Sequence, residues 1–109
     1  PGSTETRHLI DRKEFSSMKN HSILVNISRG DVIAESALIK ALQQGEIGGA
    51  GLDVYEFEPE IPNALIKMEN VTLFPHLGTA SVEVRTEMGY MALDNIEQFM
   101  MGAKPNNIV

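Results

Sequence analysis

A short apolar run bounded by turn-forming residues constrains the fold of this chain more than any other feature. The run Ile-Leu-Val-Asn-Ile at residues 23–27 is preceded by Asn20-His21 and followed by Ser28-Arg29-Gly30. A run of this length, rich in β-branched residues, is typical of a strand buried on both faces of a parallel sheet. We therefore expect a β-strand at residues 23–27.

Helical and extended patterns alternate along the chain. Further strands are predicted at residues 49–54 and 71–74. A short capped turn and helix is predicted at residues 4–18, one helical turn at residues 63–68, and helices at residues 35–44 and 81–101, with Gly45 and Gly102 as stops. Ser3 or Thr4 could cap the first helix. Its apolar side would be formed by Leu9, Ile10 and Phe15. The last helix carries an apolar stripe of Val84, Met88, Met91, Ala92, Ile96 and Phe99. Strand–helix–strand alternation with short connections predicts an α/β fold with a parallel sheet.

Composition and charge exclude several classes of protein. The chain has 109 residues, no cysteine, and 15 acidic against 9 scattered basic residues, giving a net charge of −6. Nucleic-acid binding needs a concentrated positive surface, so we expect no nucleic-acid partner. No segment approaches the roughly 20 apolar residues of a membrane span, and the polar start lacks the apolar segment of a secretory signal. We expect a cytoplasmic protein with no membrane partner and assign no metal site.

Polar side chains follow each predicted strand. Arg29 follows the first, Asp53, Glu56 and Glu58 follow the second, and His76 follows the third. Ligands of open α/β sheets bind at the carboxyl ends of the strands. Arg29 can bind a carboxylate with its planar fork of donors. His76 can transfer a proton near neutral pH, and a carboxylate on its other ring nitrogen would favour the imidazolium. This set suits proton transfer to a carbonyl oxygen next to a carboxylate.

Each of these residues also has a purely structural interpretation. Arg29 could form a surface ion pair, His76 could be a loop histidine with satisfied hydrogen bonds, and Asp53 could cap the next turn. The glutamates between residues 56 and 60 could form a solvated acidic loop. Residue types alone leave the structural and catalytic interpretations equally open.

A glycine-rich phosphate-binding turn is missing from these 109 residues. Neither the G-x-G-x-x-G pattern nor a P-loop occurs. The segment Gly48-Gly49-Ala50-Gly51 precedes a predicted strand instead of joining a strand to a helix. We interpret its glycines as positions of close backbone packing.

Several motifs, taken in order, resemble the D-isomer-specific 2-hydroxyacid dehydrogenases, through the C-terminal part of those enzymes. Residues 1–10 are similar to the family's Pro-x-Thr-x-x-Thr segment, and residues 18–30 to its Met-Lys and Val-Asn-x-x-Arg-Gly signature. Residues 50–59 resemble its Gly-Leu-Asp-Val-aromatic-x-x-Glu-Pro block, and residues 75–78 its Pro-His-x-Gly motif. The end of the chain resembles the family's finish near Pro-x-Asn-x-Val. The resemblance extends over the whole chain.

The resemblance implies a catalytic set of Arg29, Glu58 and His76. Arg29 would bind and polarise a 2-oxo acid, while His76 would protonate its carbonyl oxygen as hydride arrives from NAD or NADP. Glu58 would support the charge on His76, and it is favoured over Glu56 because it directly precedes Pro59. Asp53 would contact the nicotinamide end. The residues expected to contact the cofactor are Ile27, Ser28, Arg29, Asp53, His76, Leu77 and Gly78.

The resemblance also implies a domain organisation. The chain would be the second half of a Rossmann-like doubly wound parallel sheet, ending in a long helix that returns toward the substrate domain. Residues 1–80 would be the C-terminal half of the NAD(P)-binding domain, and residues 81–109 the interdomain helix and tail. The N-terminal part of the parent chain, with its Gly-rich turn, would precede residue 1. We expect a homodimeric parent, and an isolated fragment that is inactive and binds NAD(H) weakly or not at all.

The expected activity is NAD(P)-dependent transfer of hydride between nicotinamide and a small 2-oxo acid or D-2-hydroxy acid. Residues 75–81 with Glu83 and Arg85 lean toward glyoxylate/hydroxypyruvate reductases. A phosphoglycerate dehydrogenase-type enzyme and an NAD-sensing transcriptional corepressor of the same fold are alternatives. The formate dehydrogenase branch is disfavoured, because it carries Gln where Glu58 stands.

Overall fold

The computed structural model describes residues 4–108, which divide into two compact units. The first extends to His76 and the second begins at Leu77. The elements are α1 (Arg12–Ser17), β1 (Ile23–Asn26), α2 (Glu35–Gln43), β2 (Gly49–Leu52), α3 (Asn63–Ile66), β3 (Val71–Leu73) and α4 (Val82–Met100). A short 3₁₀ turn, Gly30–Val32, lies between β1 and α2.

Three strands form one parallel sheet in the order β1–β2–β3. Their carboxyl ends are level, because Asn26 pairs with Leu52 and Leu52 pairs with Leu73. Each pair of strands is joined by a crossover that contains a helix, as parallel pairing requires. The predicted α/β class with a parallel sheet is confirmed. The loops that follow the three strands therefore start from one edge.

An apolar cluster joins the helices of the first unit to the sheet. It contains Phe15 of α1, Leu38 of α2 and Leu65 of α3. Its other buried members are Ile33, Ala34, Ala37, Ala41, Leu42, Ile47, Ala50, Leu52 and Tyr55. Burying each large side chain contributes about 1.5–3 kcal/mol, so this cluster is the main source of stability in residues 4–76.

One face of β1 is exposed, so the prediction of a strand buried on both faces is wrong. Ile23 and Val25 are each 65% exposed, whereas Leu24 between them packs against the cluster. Successive side chains of a strand point to opposite faces, and α1, α2 and α3 all contribute to the cluster on which Leu24 packs. Side chains of the apolar run at residues 23–27 therefore alternate between solvent and the apolar cluster.

The segment predicted as a turn and helix begins with turns, and its helix has a different cap from the one predicted. Residues 4–8 form turns, and α1 begins after Asp11, whose side chain accepts a hydrogen bond of 2.7 Å from the backbone N–H of Arg12. The Glu14 carboxylate in return accepts from the Asp11 N–H at 3.0 Å, which completes a capping box. The predicted turn and helix both lie within residues 4–18, but Asp11 and not Thr4 caps the helix, and Ser3 lies outside the described residues.

Residues 8–10 are not helical because their backbone bonds to the segment before α2. The His8 N–H donates to the Asp31 carbonyl at 2.8 Å, and the Ala34 N–H donates to the Ile10 carbonyl at 2.9 Å. Leu9 is 59% exposed, so it does not join the apolar side of a helix as predicted. This pairing brings residues 7 and 8 close to the start of α2.

The other elements lie where the sequence predicts them, with ends shifted by one or two residues. β1, β2 and β3 stop before residues 27, 53 and 74, where the chain leaves the sheet. α2 ends at Gln43 and α3 at Ile66, slightly short of prediction. Gly45 and Gly102 have φ values of +68° and +74°, so both predicted helix stops are confirmed. At Gly49 a Cβ would lie 2.6 Å from the Asn70 carbonyl oxygen, in agreement with a packing role.

The second unit consists of α4 and the tail that follows it. The Ser81 side chain caps the helix by accepting a hydrogen bond of 3.2 Å from the Val84 N–H. The Asn107 N–H donates to Asn95 Oδ1 at 3.2 Å, which folds the tail back along α4. No residue of α4 is buried, including its predicted apolar stripe. Among residues 4–108, no helix combines the length and apolar character that crossing a bilayer requires.

Candidate active site

A cleft lies at the carboxyl ends of the three strands. Its volume is about 550 Å³, and the loops that follow β1, β2 and β3 all contribute to it. The residues that line it are Arg7, Arg29, Gly30, Asp31, Tyr55, Glu56, Phe57, Glu58 and His76. The structure therefore brings Arg29, Glu58 and His76 to one cleft at the edge where α/β sheets bind ligands.

Asn26 shapes the loop that carries Arg29. Its side chain is buried, its Nδ2 donates to the Arg29 carbonyl at 2.9 Å, and its Oδ1 accepts from the Ser28 N–H at 3.1 Å. The Arg29 guanidinium remains exposed, with Nη1 donating to the Ser28 carbonyl at 2.7 Å. Sequence reasoning missed Asn26. The available signal was an asparagine that ends an apolar run and can bond the backbone two residues ahead.

Gly30 allows the first two loops to touch through their backbones. A Cβ built on Gly30 would lie 1.9 Å from the carbonyl carbon and oxygen of Tyr55, and 2.5 Å from the backbone nitrogen of Glu56. Only glycine fits this contact without moving one of the loops. The backbone of the residue after Arg29 thus fixes the distance to the loop that carries Glu58.

Glu58 bridges the second loop and His76. His76 Nδ1 lies 2.9 Å from Glu58 Oε2, and the Tyr55 N–H donates to Glu58 Oε1 at 3.0 Å. The hydrogen bond from His76 lowers the pKa of Glu58, with further lowering by the Tyr55 N–H and the charges of His76 and Arg29. Glu58 therefore stays a carboxylate and accepts from Nδ1–H. Because Nδ1 is held in this way, Nε2 is the ring nitrogen available to exchange a proton.

Tyr55 connects the end of β2 to the loop that carries His76. Its hydroxyl donates to the Phe74 carbonyl at 2.8 Å and lies 3.2 Å from the Leu52 carbonyl. Burial raises the pKa of Tyr55, so the phenol keeps the proton that it donates. Two residues after Phe74, His76 has φ +56°, a left-handed conformation that costs a non-glycine residue about 1–3 kcal/mol. Sequence reasoning also missed Tyr55, because its partner at Phe74 is 19 residues away.

The other residues predicted to face a cofactor lie in different surroundings. Asp53 is buried at the end of β2, and its N–H donates to the Asn26 carbonyl at 3.0 Å. Ile27 and Ser28 are exposed directly after β1. Leu77 and Gly78 belong to the second unit, where the Leu77 carbonyl accepts from the Ala80 N–H at 2.9 Å. Their roles toward a cofactor stay predictions.

The cleft combines an anion-binding group with an acid–base group. The exposed Arg29 fork can bind a carboxylate, and the His76 imidazole, supported by Glu58, can donate or accept a proton. Within the described part of the chain, no cluster of three or more His, Asp or Glu residues could hold a metal ion. The polar groups of the cleft could bind an anionic group and exchange a proton with it.

Comparison with known proteins identifies the family. The sequence model of the D-isomer specific 2-hydroxyacid dehydrogenase NAD binding domain matches residues 1–78. The chain belongs to this family. The resemblance seen in the motifs is confirmed, and so is the expected cofactor class at the level of the family.

Relatives and solved structures give the same family. A glyoxylate reductase of Thermococcus litoralis is 47% identical over 109 residues, which are 100% of this chain and 33% of that protein. The crystal structure of an NADPH-dependent glyoxylate/hydroxypyruvate reductase from Sinorhizobium meliloti, in complex with NADP and malonate, matches with a TM-score of 0.89 and 40% identity, over 92% of this chain and 31% of that one. A D-lactate dehydrogenase from Lactobacillus jensenii with NAD⁺ matches with a TM-score of 0.82 and 29% identity, over 100% of this chain and 37% of that one.

These matches confirm the predicted Rossmann-like fold class. They also show that this member of the 2-hydroxyacid dehydrogenase family spans about a third of the length of the curated relatives it matches.

Proposed function

We propose that the full-length protein carrying this chain is an NAD(P)-dependent oxidoreductase of small 2-oxo acids and D-2-hydroxy acids. The observation that carries this proposal is the Glu58–His76 pair, which shares a cleft with Arg29 in a member of this family. Glyoxylate and hydroxypyruvate are the substrates to test first, since relatives of this chain are named for their reduction.

The strand ends fit the nicotinamide end of NAD or NADP. Ile27 presents an apolar side chain that is 73% exposed at the end of β1, next to the polar Ser28 and to Asp53 at the end of β2. These three residues, with Arg29, His76, Leu77 and Gly78, would hold the cofactor. When bound, the nicotinamide supplies or accepts the hydride.

The side chains of this chain perform binding and proton transfer. Arg29 binds the carboxylate and neighbouring oxo group of the substrate through its fork of donors, which fixes the carbonyl in the cleft. His76 gives a proton from Nε2 to the carbonyl oxygen as that oxygen gains negative charge. Glu58 holds Nδ1–H, fixes the tautomer and stabilises the imidazolium that is ready to donate.

The domain organisation is part of the same proposal. Residues 1–80 form the C-terminal half of the NAD(P)-binding domain, and residues 81–109 the interdomain helix and tail. The remaining substrate domain and the Gly-rich turn belong to the rest of the polypeptide. A cytoplasmic homodimer is the assembly and location that we propose for the full-length protein.

Replacement of His76 tests this function. In the full-length protein, His76→Gln should lower the turnover of NADH- or NADPH-dependent glyoxylate and hydroxypyruvate reduction by about 10²- to 10⁴-fold. The matched control is His21→Gln, a histidine that is exposed in the same unit and lies outside the cleft, and its turnover should equal wild type.

Near-normal turnover of the His76→Gln variant would contradict the proposal. Tight NAD(H) binding by a wild-type protein that reduces none of the 2-oxo acids, phosphohydroxypyruvate included, would instead favour the NAD-sensing corepressor. Activity confined to phosphohydroxypyruvate would favour a phosphoglycerate dehydrogenase-type enzyme.

A further inference from the structure

Glu56 lies in the same loop as Glu58 but makes a separate set of contacts. Its side chain is only 7% exposed, and its Oε1 lies 2.7 Å from His8 Nε2 and 3.3 Å from Arg7 Nη2. His8 itself has a left-handed backbone with φ +52°. The carboxylate thus connects the loop after β2 to a segment that is 48 residues earlier in the sequence.

The second oxygen of Glu56 caps α2 from outside the helix. The N-cap residue Ala34 has no side-chain acceptor, and the Glu35 N–H donates to Glu56 Oε2 at 3.2 Å. In return the Glu56 N–H donates to Glu35 Oε2 at 3.3 Å. This reciprocal pair has the pattern of a capping box, with its two residues supplied by different segments. The loop is therefore fastened to the first turn of α2 through both its backbone and its side chain.

Apolar packing holds this loop only on the side before Glu56. Tyr55 belongs to the buried apolar cluster, whereas Phe57, between the two glutamates, is 64% exposed. The hydrogen bonds of Glu58 itself join it to the Tyr55 N–H and to His76. Burial beside Glu56 also raises the pKa of Glu35, so the pair has an electrostatic cost. In some proteins a buried charged group that is paired at such a cost specifies one arrangement instead of adding stability.

We propose that Glu56 is a positioning residue that holds Glu58 against His76 by fastening the loop to α2 and to His8. The inference rests on the proposed function, because it assigns Glu58 and His76 to the reaction. Glu56 does not touch the reacting atoms. It acts through the loop, two residues before Glu58 and directly on the Gly30 contact.

Replacement of Glu56 in the full-length protein should lower kcat more than it raises KM. Glu56→Ala removes the side-chain contacts to α2, His8 and Arg7 and leaves only the backbone N–H bonded to Glu35. Displacement of a catalytic group costs about 10- to 100-fold in kcat, with KM for the 2-oxo acid changed less than about threefold. Glu56→Gln keeps an acceptor for the Glu35 N–H and should restore most of the lost kcat. Glu60→Ala is the matched control, an exposed glutamate of the same loop, and should behave as wild type.

A spectroscopic measurement tests the inference without activity. The measurement follows the NMR resonance of His76 Nδ1–H in protein labelled with ¹⁵N-histidine. This resonance is assigned as the one that disappears in both the His76→Gln and the Glu58→Gln variants. It should be lost or shifted in Glu56→Ala and unchanged in Glu60→Ala. If the wild-type protein reduces no 2-oxo acid, the proposed function fails. The comparison of this resonance between Glu56→Ala and wild type still shows whether Glu56 positions Glu58.

Two results would overturn the inference. One is a folded Glu56→Ala variant whose His76 Nδ1–H resonance is the same as in wild type. Any loss of kcat in that variant would then not be caused by a displaced Glu58. If circular dichroism shows that Glu56→Ala does not fold, His8→Asn replaces it, because asparagine tolerates the left-handed backbone and cannot reproduce the 2.7 Å contact. The His8→Asn variant should shift the same resonance and lower kcat, but by a smaller factor than the loss expected for Glu56→Ala. A His8→Asn protein with wild-type resonance and kcat is the other overturning result.

Discussion

Glu56 and Glu58, two residues apart in one loop, each contact a different histidine. His8 Nε2 lies 2.7 Å from Glu56, and His76 Nδ1 lies 2.9 Å from Glu58. Among residues 4–108, these histidines are the two non-glycine residues with positive φ. One contact fastens the loop to the protein and the other supports the group proposed to transfer a proton. The loop after β2 therefore combines an attachment to the rest of the first unit with a contact inside the cleft.

The Glu58–His76 pair should be stable well into the acid range. Because the hydrogen bond from His76 lowers the pKa of Glu58, the contribution of this carboxylate to stability is present above its ordinary value of 4.5 and is lost as pH falls through the lowered value. The difference in Tm between wild type and Glu58→Gln should thus persist at pH 5 and shrink as pH falls below 4.5. Thermal melts at a series of pH values measure it. A difference that already disappears at pH 5 would argue against the lowered pKa.

Glu35 gives the opposite pH dependence. Burial raises its pKa from 4.5, and the charge of Glu56 adds to this effect. A carboxyl with a raised pKa contributes stability that is complete below the ordinary value and is lost as pH rises through the raised one. At pH 7 the ionised Glu35 is therefore unfavourable, whereas glutamine resembles the protonated form and can still accept from the Glu56 N–H.

Glu35→Gln should accordingly have a higher Tm than wild type at pH 7, and this gain should vanish at pH 4. Differential scanning calorimetry at both pH values measures the change. Glu69→Gln, at an exposed position, serves as the control and should change Tm little at either pH. A lower Tm for Glu35→Gln at pH 7 would show that the ionised pair stabilises the fold.

Gly30 and Gly51 should differ sharply in their tolerance of alanine. At Gly30 the new Cβ would lie 1.9 Å from backbone atoms of Tyr55, whereas at Gly51 it would lie 3.8 Å from a methyl carbon of Val25, an ordinary contact. Overpacking costs about 1–3 kcal/mol, and a clash between two backbones should reach or exceed the upper end of that range. Urea denaturation should show this loss for Gly30→Ala and less than about 1 kcal/mol for Gly51→Ala. Equal stabilities would mean that the two loops can separate freely.

The sequence could predict the elements that local patterns define. The β1–α2–β2 unit follows from an apolar run, a helical stripe and the stop at Gly45. The start of α1 could not be predicted in this way, because Thr4 and Asp11 are both suitable caps. The pairing of residues 8–10 with residues 31–34 decides between them, and this contact is not local.

The candidate site shows the same division. Arg29, Glu58 and His76 stand in recognisable family motifs that follow strands, and the resemblance to the family, not residue type alone, selected them for the predicted catalytic set. Tyr55 and Glu56 act through partners 19 and 48 residues away, and no local pattern contains those partners. The convergence of the three loops likewise depends on the level carboxyl ends of the strands.

The exposed face of β1 has a practical consequence for work with residues 1–109 alone. β1 is an edge strand of the sheet, and Ile23 and Val25 on its exposed face form a hydrophobic surface patch. Unpaired edges beside exposed branched side chains promote aggregation. This face of the sheet should therefore lower the solubility of the isolated chain, and exposed side chains of the second unit such as Phe99 and Met100 add to the same effect.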